Sequence, residues 1–241
     1  IVRMSVARAA LLQPLQEFEL PVDKKGLIVG GGIAGMTSAL SLANQGFEVY
    51  LGEKDKELGG MARRIHYTLE GMDVQAYLKD VIRKVYQNPL IHVSTDATIT
   101  EASGYVGNFI TRVKSGGKIR EIRHGITIIA TGAEEYKPNE YLHGQDDRVF
   151  TLLELEEQIA KKEARVVNAQ SLVMIQCVGC RNEERNYCSR VCCNNAITCA
   201  LKLKEINPQM DIYIIFRDMR TYGFAEEYYR EAANREVKFI R

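Results

Sequence analysis

Apolar residues along the chain fall into short continuous runs and helix-spaced stripes, and their alternation predicts repeated strand–helix–strand units. Residues 27–32 (LIVGGG) read as a buried strand, 33–45 as a helix of small and apolar residues ending near Gly46, and 47–52 as a second strand. One βαβ unit therefore opens at about residue 26. The spacing of Val74, Tyr77, Leu78, Val81, Ile82 and Val85 predicts a helix over 74–87, stopped by Asn88-Pro89. Short strands are expected at 90–94, 97–102, 107–114 and 119–123, with Ser115-Gly116-Gly117 turning the last two into a hairpin, and a buried strand at 126–130.

After Ala133 the pattern changes to a polar run, EEYKPNEYLHGQDDR, without apolar periodicity, and this marks a candidate domain boundary. Beyond it, a helix over 151–162, a strand at 171–176, a helix over 193–206 and a strand at 211–216 repeat the βαβ plan. The expected organisation is an N-terminal helix or linker (1–23), a first domain (24–138) and a second, truncated βαβ domain (139–241). The final EVKFIR has the pattern of a strand beginning to form and the first residue is Ile, so the chain reads as a piece of something longer.

Composition narrows the function classes. With 241 residues and 46% hydrophobic content the chain can bury a sizeable core. Lys and Arg total 32 against 31 Asp and Glu, which argues against nucleic acid or anionic lipid as a partner. No apolar run approaches the roughly 20 residues needed to span a bilayer, so no direct membrane insertion is expected. The stretch IVRMSVARAALL is interrupted by Arg3 and Arg8, unlike an export signal, and a cytoplasmic location is expected.

The segment Gly30-Gly31-Gly32-Ile33-Ala34-Gly35 matches GxGxxG where a strand passes into a helix. Glycine at 30 permits the tight turn, glycine at 32 lets the backbone approach a pyrophosphate, and glycine at 35 lets helix and strand pack closely, as in Rossmann-type α/β folds. The helix N-terminus would then face phosphates with free N–H groups. Glu53 closes the second strand, 18 residues after Gly35, where a carboxylate can accept hydrogen bonds from ribose hydroxyls. An adenine dinucleotide is expected, and these residues alone leave FAD and NAD both open.

Six cysteines sit at 177, 180, 188, 192, 193 and 199, with none before them. Such clustering, without an export signal, fits ligation in a reducing compartment better than a disulfide framework. The loop after strand 171–176 is where a phosphate-binding glycine loop would stand, and it carries CVGCRNEERNYCSRVCC instead. Thiolates packed so closely repel one another unless a metal or cluster compensates. CxxC followed by CxxxCC favours an iron–sulfur cluster over zinc, while a redox-active Cys177/Cys180 dithiol and a zinc-stabilised interaction module remain open. Cys199 lies on the helix among apolar neighbours and is expected to be structural. The four histidines, at 66, 92, 124 and 143, show no ligand spacing.

Two further motifs carry a resemblance. EKDKELGGMARR after the second strand resembles the ExxxxLGG signature of the two-dinucleotide-binding-domain flavoproteins, and Ile128-Ile129-Ala130-Thr131-Gly132-Ala133 matches the strand ending in ATG near their flavin nucleotide. The resemblance implies FAD, held by Gly30, Gly32, Ile33, Ala34, Gly35, Glu53, Lys54, Gly59, Gly60, Met61, Ala130, Thr131 and Gly132. SLVMIQCVGCRNEERNYCSRVCC with RDMRTYGFAEEYYREA is similar to the A-type flavoprotein of heterodisulfide reductase and its relatives, over nearly the whole chain.

That family implies a thioredoxin-reductase-like flavoprotein core, FAD, a 4Fe-4S cluster, and electron transfer within a soluble complex with iron–sulfur and electron-input subunits, hence an oligomer. The implied cluster ligands are Cys177, Cys188, Cys192 and Cys193, with Cys180, where many relatives have Ser, as a substitute. Thr198 stands where relatives commonly have Lys, and the stretch 61–76 lacks the cysteine-rich insertion of some relatives. Arg217, Arg220 and Tyr222 are candidates to lie near the cofactors, or equally to form a solvated face.

Overall fold

A computed structural model describes residues 1–13, 17 and 19–241; part of the expected N-terminal helix or linker, residues 14–16 and 18, lies outside the described residues. The expected first βαβ unit is present as β1 (Gly26–Val29), α2 (Ile33–Asn44) and β2 (Val49–Gly52), preceded by an exposed helix α1 (Val2–Leu11) with no buried residue. Leu27 and Ile28 of β1 are buried, and α2 turns Gly35, Met36, Ala39 and Ala43 inward. Small side chains on that face let the helix lie close on the sheet.

Helix α3 (Val74–Gln87) follows, capped by the Asp73 side chain, which accepts the Gln75 and Ala76 N–H groups. It leads into β3 (Ile91–Ser94), and a meander of β4 (Ala97–Tyr105), β5 (Asn108–Ser115) and β6 (Lys118–His124) then returns the chain to β7 (Ile126–Ile129). The parallel sheet has the order β3-β2-β1-β7, and the meander forms its own antiparallel sheet, β4-β5-β6. β1, at the centre of the parallel sheet, thereby delivers its C-terminal loop between the ends of β2 and β7.

The second half builds α4 (Leu152–Ala160), a single-turn α5 (Ala164–Val167), β8 (Ser171–Ile175), α6 (Cys192–Ile206), β9 (Asp211–Ile215), α7 (Ala225–Asn234) and β10 (Lys238–Ile240). Helix α4 starts with a capping box between Thr151 and Glu154. The strands form a parallel sheet of order β10-β9-β8, over a core that includes Ile197, Leu203, Met210, Ile212 and Ile214. The architecture is thus the α/β, Rossmann-type fold with a second βαβ unit that the sequence pattern predicts.

Three elements lie outside those expectations: α5, α7, and a 3-10 turn at Gly60–Arg64. The turn and α5 are too short to show a period. In α7 the inward face is made by Tyr228, Tyr229 and Ala232 among charged residues, so its apolar signal is thin. The polar run after Ala133 forms no helix or strand before α4, yet it is tied down. Arg64 bonds both Glu135 and Glu157, at 2.7 and 2.8 Å, and Lys137 bonds Glu135 and Glu154. Among the described residues no helix is long and apolar enough to cross a membrane.

Candidate functional site

The glycine loop is shaped by backbone contact. Gly30 has φ +110°, and a Cβ there would stand 2.2 Å from the Ala130 carbonyl oxygen, so the ends of β1 and β7 meet without a side chain between them. A Cβ on Gly35 would stand 1.8 Å from the Gly30 carbonyl oxygen, which fixes the helix against the strand. Gly32, the N-cap of α2, is different: a Cβ there would meet nothing within 4 Å. The tight positions shape the loop, and the open one leaves a bare backbone surface at a helix N-terminus, where phosphate oxygens are favoured. Ile33 is half-buried beside it and Ala34 exposed.

The acidic residue and the second glycine motif complete this cradle. Glu53 is buried, and its two carboxylate oxygens accept the Gly31 N–H at 2.6 Å and the Asp55 N–H at 2.9 Å. Its charge is thus turned into the glycine loop, each oxygen retaining a further acceptor site. Leu58 is buried, Gly59 N–H donates to the Gly31 carbonyl at 2.8 Å, and a Cβ on Gly60 would lie 3.3 Å from the Gly32 Cα. Met61 is half-buried at the start of the 3-10 turn. Thr131 and Gly132 are exposed beyond β7, and Lys54 pairs with Glu134 across the same mouth at 3.0 Å. The thirteen residues expected to hold a dinucleotide therefore converge at the C-terminal edge of one sheet.

A six-residue run joins this edge to the cysteines. From Ala130 the chain reaches Tyr136, whose ring lies where a Cβ on Gly179 would have to go, and the Arg185 guanidinium stacks on that ring, 4.5 Å from its centroid. The run can span about 20 Å at most. A second tie runs through Glu156 on α4, which is buried and accepts the backbone N–H groups of His66 and Tyr67 on one oxygen and the Asn195 side-chain amide on the other. One carboxylate therefore binds the segment following the 3-10 turn to the first turn of the cysteine-bearing helix.

The cysteine loop leaves β8 through Gln176 and turns sharply at Cys177, which has φ +64°. Cys192 and Cys193 open α6. The Cys192 thiol lies below the ordinary thiol range because the neighbouring Cys193 thiol favours its ionised form, helped against burial by the Ser189 hydroxyl and the backbone N–H groups of Cys177 and Cys192. Cys193 is correspondingly pushed up, by sharing its proton with Cys192 and by burial. Burial and the neighbouring Cys192 raise the Cys177 thiol, which the Arg181 side chain opposes. Cys177, Cys192 and Cys193 thus share one local field, with Cys180, also buried, next to Cys177.

Cys188 is held within its own loop, its Sγ accepting the Arg190 N–H at 3.3 Å. No three His, Cys, Asp or Glu side chains among the described residues are preset at metal-holding geometry. Cys199 is buried in the α6 core with its thiol pushed well up by burial, as expected of a structural residue. Arg220 supplies a backbone N–H to Cys193, Arg217 donates to the Arg181 carbonyl at 2.6 Å, and Tyr222 is exposed.

Four buried side-chain polar atoms among the described residues lack a hydrogen-bond partner: both amide atoms of Gln176, Arg181 Nη1 and Asn194 Oδ1. Each belongs to the chain neighbour of a cysteine. Buried polar groups in native proteins are almost always paired. Such a concentration of thiols and orphaned polar atoms fits a site completed by a bound, thiolate-ligated group. Gln176, Arg181, Glu156 and Tyr136 carry no signal in the linear pattern; only adjacency to the cysteines could have flagged the first two.

A parallel sheet with a dinucleotide cradle at its carboxyl edge, followed by a second βαβ unit, defines a class of two-unit oxidoreductases. Residues 24–175 match the family of pyridine nucleotide-disulphide oxidoreductases, and the chain belongs to that family.

Over its whole length it is 27% identical to the A-type component of the H(2):CoB-CoM heterodisulfide,ferredoxin reductase of Methanothermobacter thermautotrophicus, of which it covers 51%. It is 28% identical to the first A-type iron-sulfur component of the CoB-CoM heterodisulfide reductase of Methanopyrus kandleri, covering 100% of this chain and 51% of that one. The chain spans about half the length of the curated relatives it matches. The resemblance read from the cysteine motif is thereby borne out. The match to the Methanothermobacter protein extends over 334 residues against 241 here, so this chain lacks segments that the relative contains. The HOCl-induced flavoprotein disulfide reductase RclA of Escherichia coli has a similar fold, at TM-score 0.51 and 18% identity, over 90% of this chain and 48% of that one.

Proposed function

We propose that this chain is the FAD- and iron–sulfur-dependent electron-transfer part of a heterodisulfide-reductase-like oxidoreductase, passing electrons from flavin to a 4Fe-4S cluster and on to partner subunits in a cytoplasmic complex. The observation that carries this reading is the replacement of the second phosphate loop, between β8 and α6, by thiols tied through Tyr136 to the segment after β7 and through Glu156 to the segment after the 3-10 turn, both neighbours of the first phosphate loop.

Bound FAD supplies two-electron acceptance with one-electron release, and the cluster supplies a one-electron store. Gly32 and the N-terminus of α2 would receive the pyrophosphate, with Gly30 and Gly35 fixing the loop, while Glu53 holds the loop from behind and offers its free acceptor sites to a ribose. Ile33, Ala34, Lys54, Gly59, Gly60 and Met61 line the approach, and Ala130, Thr131 and Gly132 close it from β7. Cys177, Cys188, Cys192 and Cys193 would ligate the cluster, which requires the loop at 181–191 to bring Cys188 in; Cys180 is the substitute ligand, already buried beside Cys177.

Anaerobic purification followed by iron, acid-labile sulfide, zinc and flavin analysis tests this assignment. Iron and sulfide near four per chain with flavin are expected, and Cys192→Ser should lose the iron while keeping the flavin. Stoichiometric zinc without iron would leave the interaction-module reading, and a metal-free Cys177–Cys180 disulfide would leave the disulfide-reductase one.

A further inference from the structure

The side chain of Gln176 has no use in the fold as it stands. Its backbone N–H is satisfied by the Ile215 carbonyl at 2.9 Å, as the last rung between β8 and β9. Its side chain is only 6% exposed, yet neither Nε2 nor Oε1 has a partner. Six of the other seven buried polar residues, Glu53, Glu156, His124, Thr111, Thr198 and Lys204, hydrogen-bond through their side chains, Thr221 being the seventh. A leucine would fill the same volume without stranding an amide in the interior, so the glutamine at this position answers to something that binds there.

Position narrows what that is. Gln176 directly precedes Cys177, and the other two orphans, on Arg181 and Asn194, directly follow Cys180 and Cys193. Arg181 already serves Asp218 through Nη2 and the Cys177 thiol, leaving Nη1 free. A group held by these cysteines presents sulfur atoms that carry partial negative charge and accept hydrogen bonds. Reduction by one electron places more negative charge on those sulfurs, so an N–H donor stabilises the reduced form more than the oxidised one. A neutral amide does this without altering the net charge of the ligand set.

Resting on the electron-transfer reading above, we infer that Gln176 donates a hydrogen bond from Nε2 to a sulfur of the cysteine-held cluster, and so sets the cluster's electron affinity without ligating it. Iron ligation stays with the thiolates.

The test uses the anaerobically purified full-length protein, wild type and Gln176→Leu. Both should carry the same iron and sulfide, while the reduction equilibrium of the cluster, followed by EPR in a redox titration, should move against reduction by roughly three- to tenfold in the variant, the net worth of one hydrogen bond. Tenfold corresponds to about 59 mV for one electron. In wild type carrying 15N in its glutamine side-chain amides, electron–nuclear double resonance should show a glutamine 15N coupled to the reduced cluster, and Gln176→Leu should lack it.

An unchanged potential at equal iron content would overturn the inference, and would mean that water in the cavity of about 180 Å³ lined by Gln176, Cys177, Phe216 and Arg217 satisfies the amide. Should the variant fail to fold, the absence of a coupled glutamine amide 15N in the labelled wild type alone would overturn it. A wild-type protein without iron would sink the electron-transfer reading instead, so the two failures are distinguishable.

Discussion

The loops that follow β1 and β8 each carry the chain from the carboxyl end of a parallel strand into the next helix, and they are built in opposite ways. The loop after β1 is finished by its own backbone: Gly30 and Gly35 leave no room for a Cβ, Glu53 takes the Gly31 N–H, and Gly59 donates to Gly31 from the other side. The loop after β8 is left incomplete. Cys177, Arg181 and Arg190 sit in the left-handed region without being glycine, and the neighbouring interior holds orphaned amide and guanidinium atoms. Strain and unpaired polar groups of this kind persist when a bound partner repays them. The first loop is closed by its own backbone, whereas the second has the form that a bound group would complete.

Substitutions sharpen the contrast. The two largest effects are expected from Gly35→Ala and Glu156→Leu. In an open helix position alanine would stabilise by about 1 kcal/mol, but here the added methyl meets the Gly30 carbonyl and should cost about 1–3 kcal/mol or more. A lower melting temperature with loss of flavin is expected by calorimetry and absorbance. Glu156→Leu should cost at least as much, because it strands the His66 and Tyr67 N–H groups and the Asn195 amide. Each buried orphan costs about 1–3 kcal/mol, and urea titration should show a reduced midpoint together with weaker iron retention.

Gly32→Ala reverses the pattern of Gly35→Ala. Its methyl enters open space, so stability should hold to within about 0.5 kcal/mol, while flavin affinity should fall by about tenfold, or ~1.4 kcal/mol, in a fluorescence titration. Equal flavin affinity in Gly32→Ala and wild type would break the idea that this backbone faces the pyrophosphate.

The smallest effect is one of pH. His124 is fully buried, hydrogen-bonded to Thr111 and the Ile126 carbonyl, and burial lowers its pKa. Its folded pKa lies below the unfolded value near 6.5, so its contribution is present above about pH 6.5 and declines as pH falls, by at most about 1.4 kcal/mol per pH unit. Chemical denaturation between pH 7 and 5 should show this slope, reduced in His124→Phe.

The same contrast explains what the linear pattern could disclose. The glycine loop, α3 with its Asn-Pro stop, and the meander were legible because each has a local cause: a backbone position that only glycine fits, a helical stripe, or a hairpin turn. The cysteine positions were legible as chemistry. The inward turn of Glu53 was not, because the spacing that suits a ribose also suits the Gly31 N–H. Nor was α7, whose buried face rests on tyrosines in a charged segment, or the role of Tyr136, which sits in a polar run and shows its use only where Gly179 leaves room for its ring. Isolation of a side chain such as Gln176 is a property of three-dimensional neighbours and has no trace in the order of residues.

The central claim, that the two loops form one electron path, is tested most directly by an anaerobic reductive titration of the purified protein, with flavin absorbance and cluster EPR followed on the same samples. The account predicts that reducing equivalents entering at the flavin appear as a reduced-cluster signal, and that Cys192→Ser abolishes the signal while the flavin still bleaches. A flavin that reduces fully while a bound cluster of suitable potential stays oxidised would contradict it.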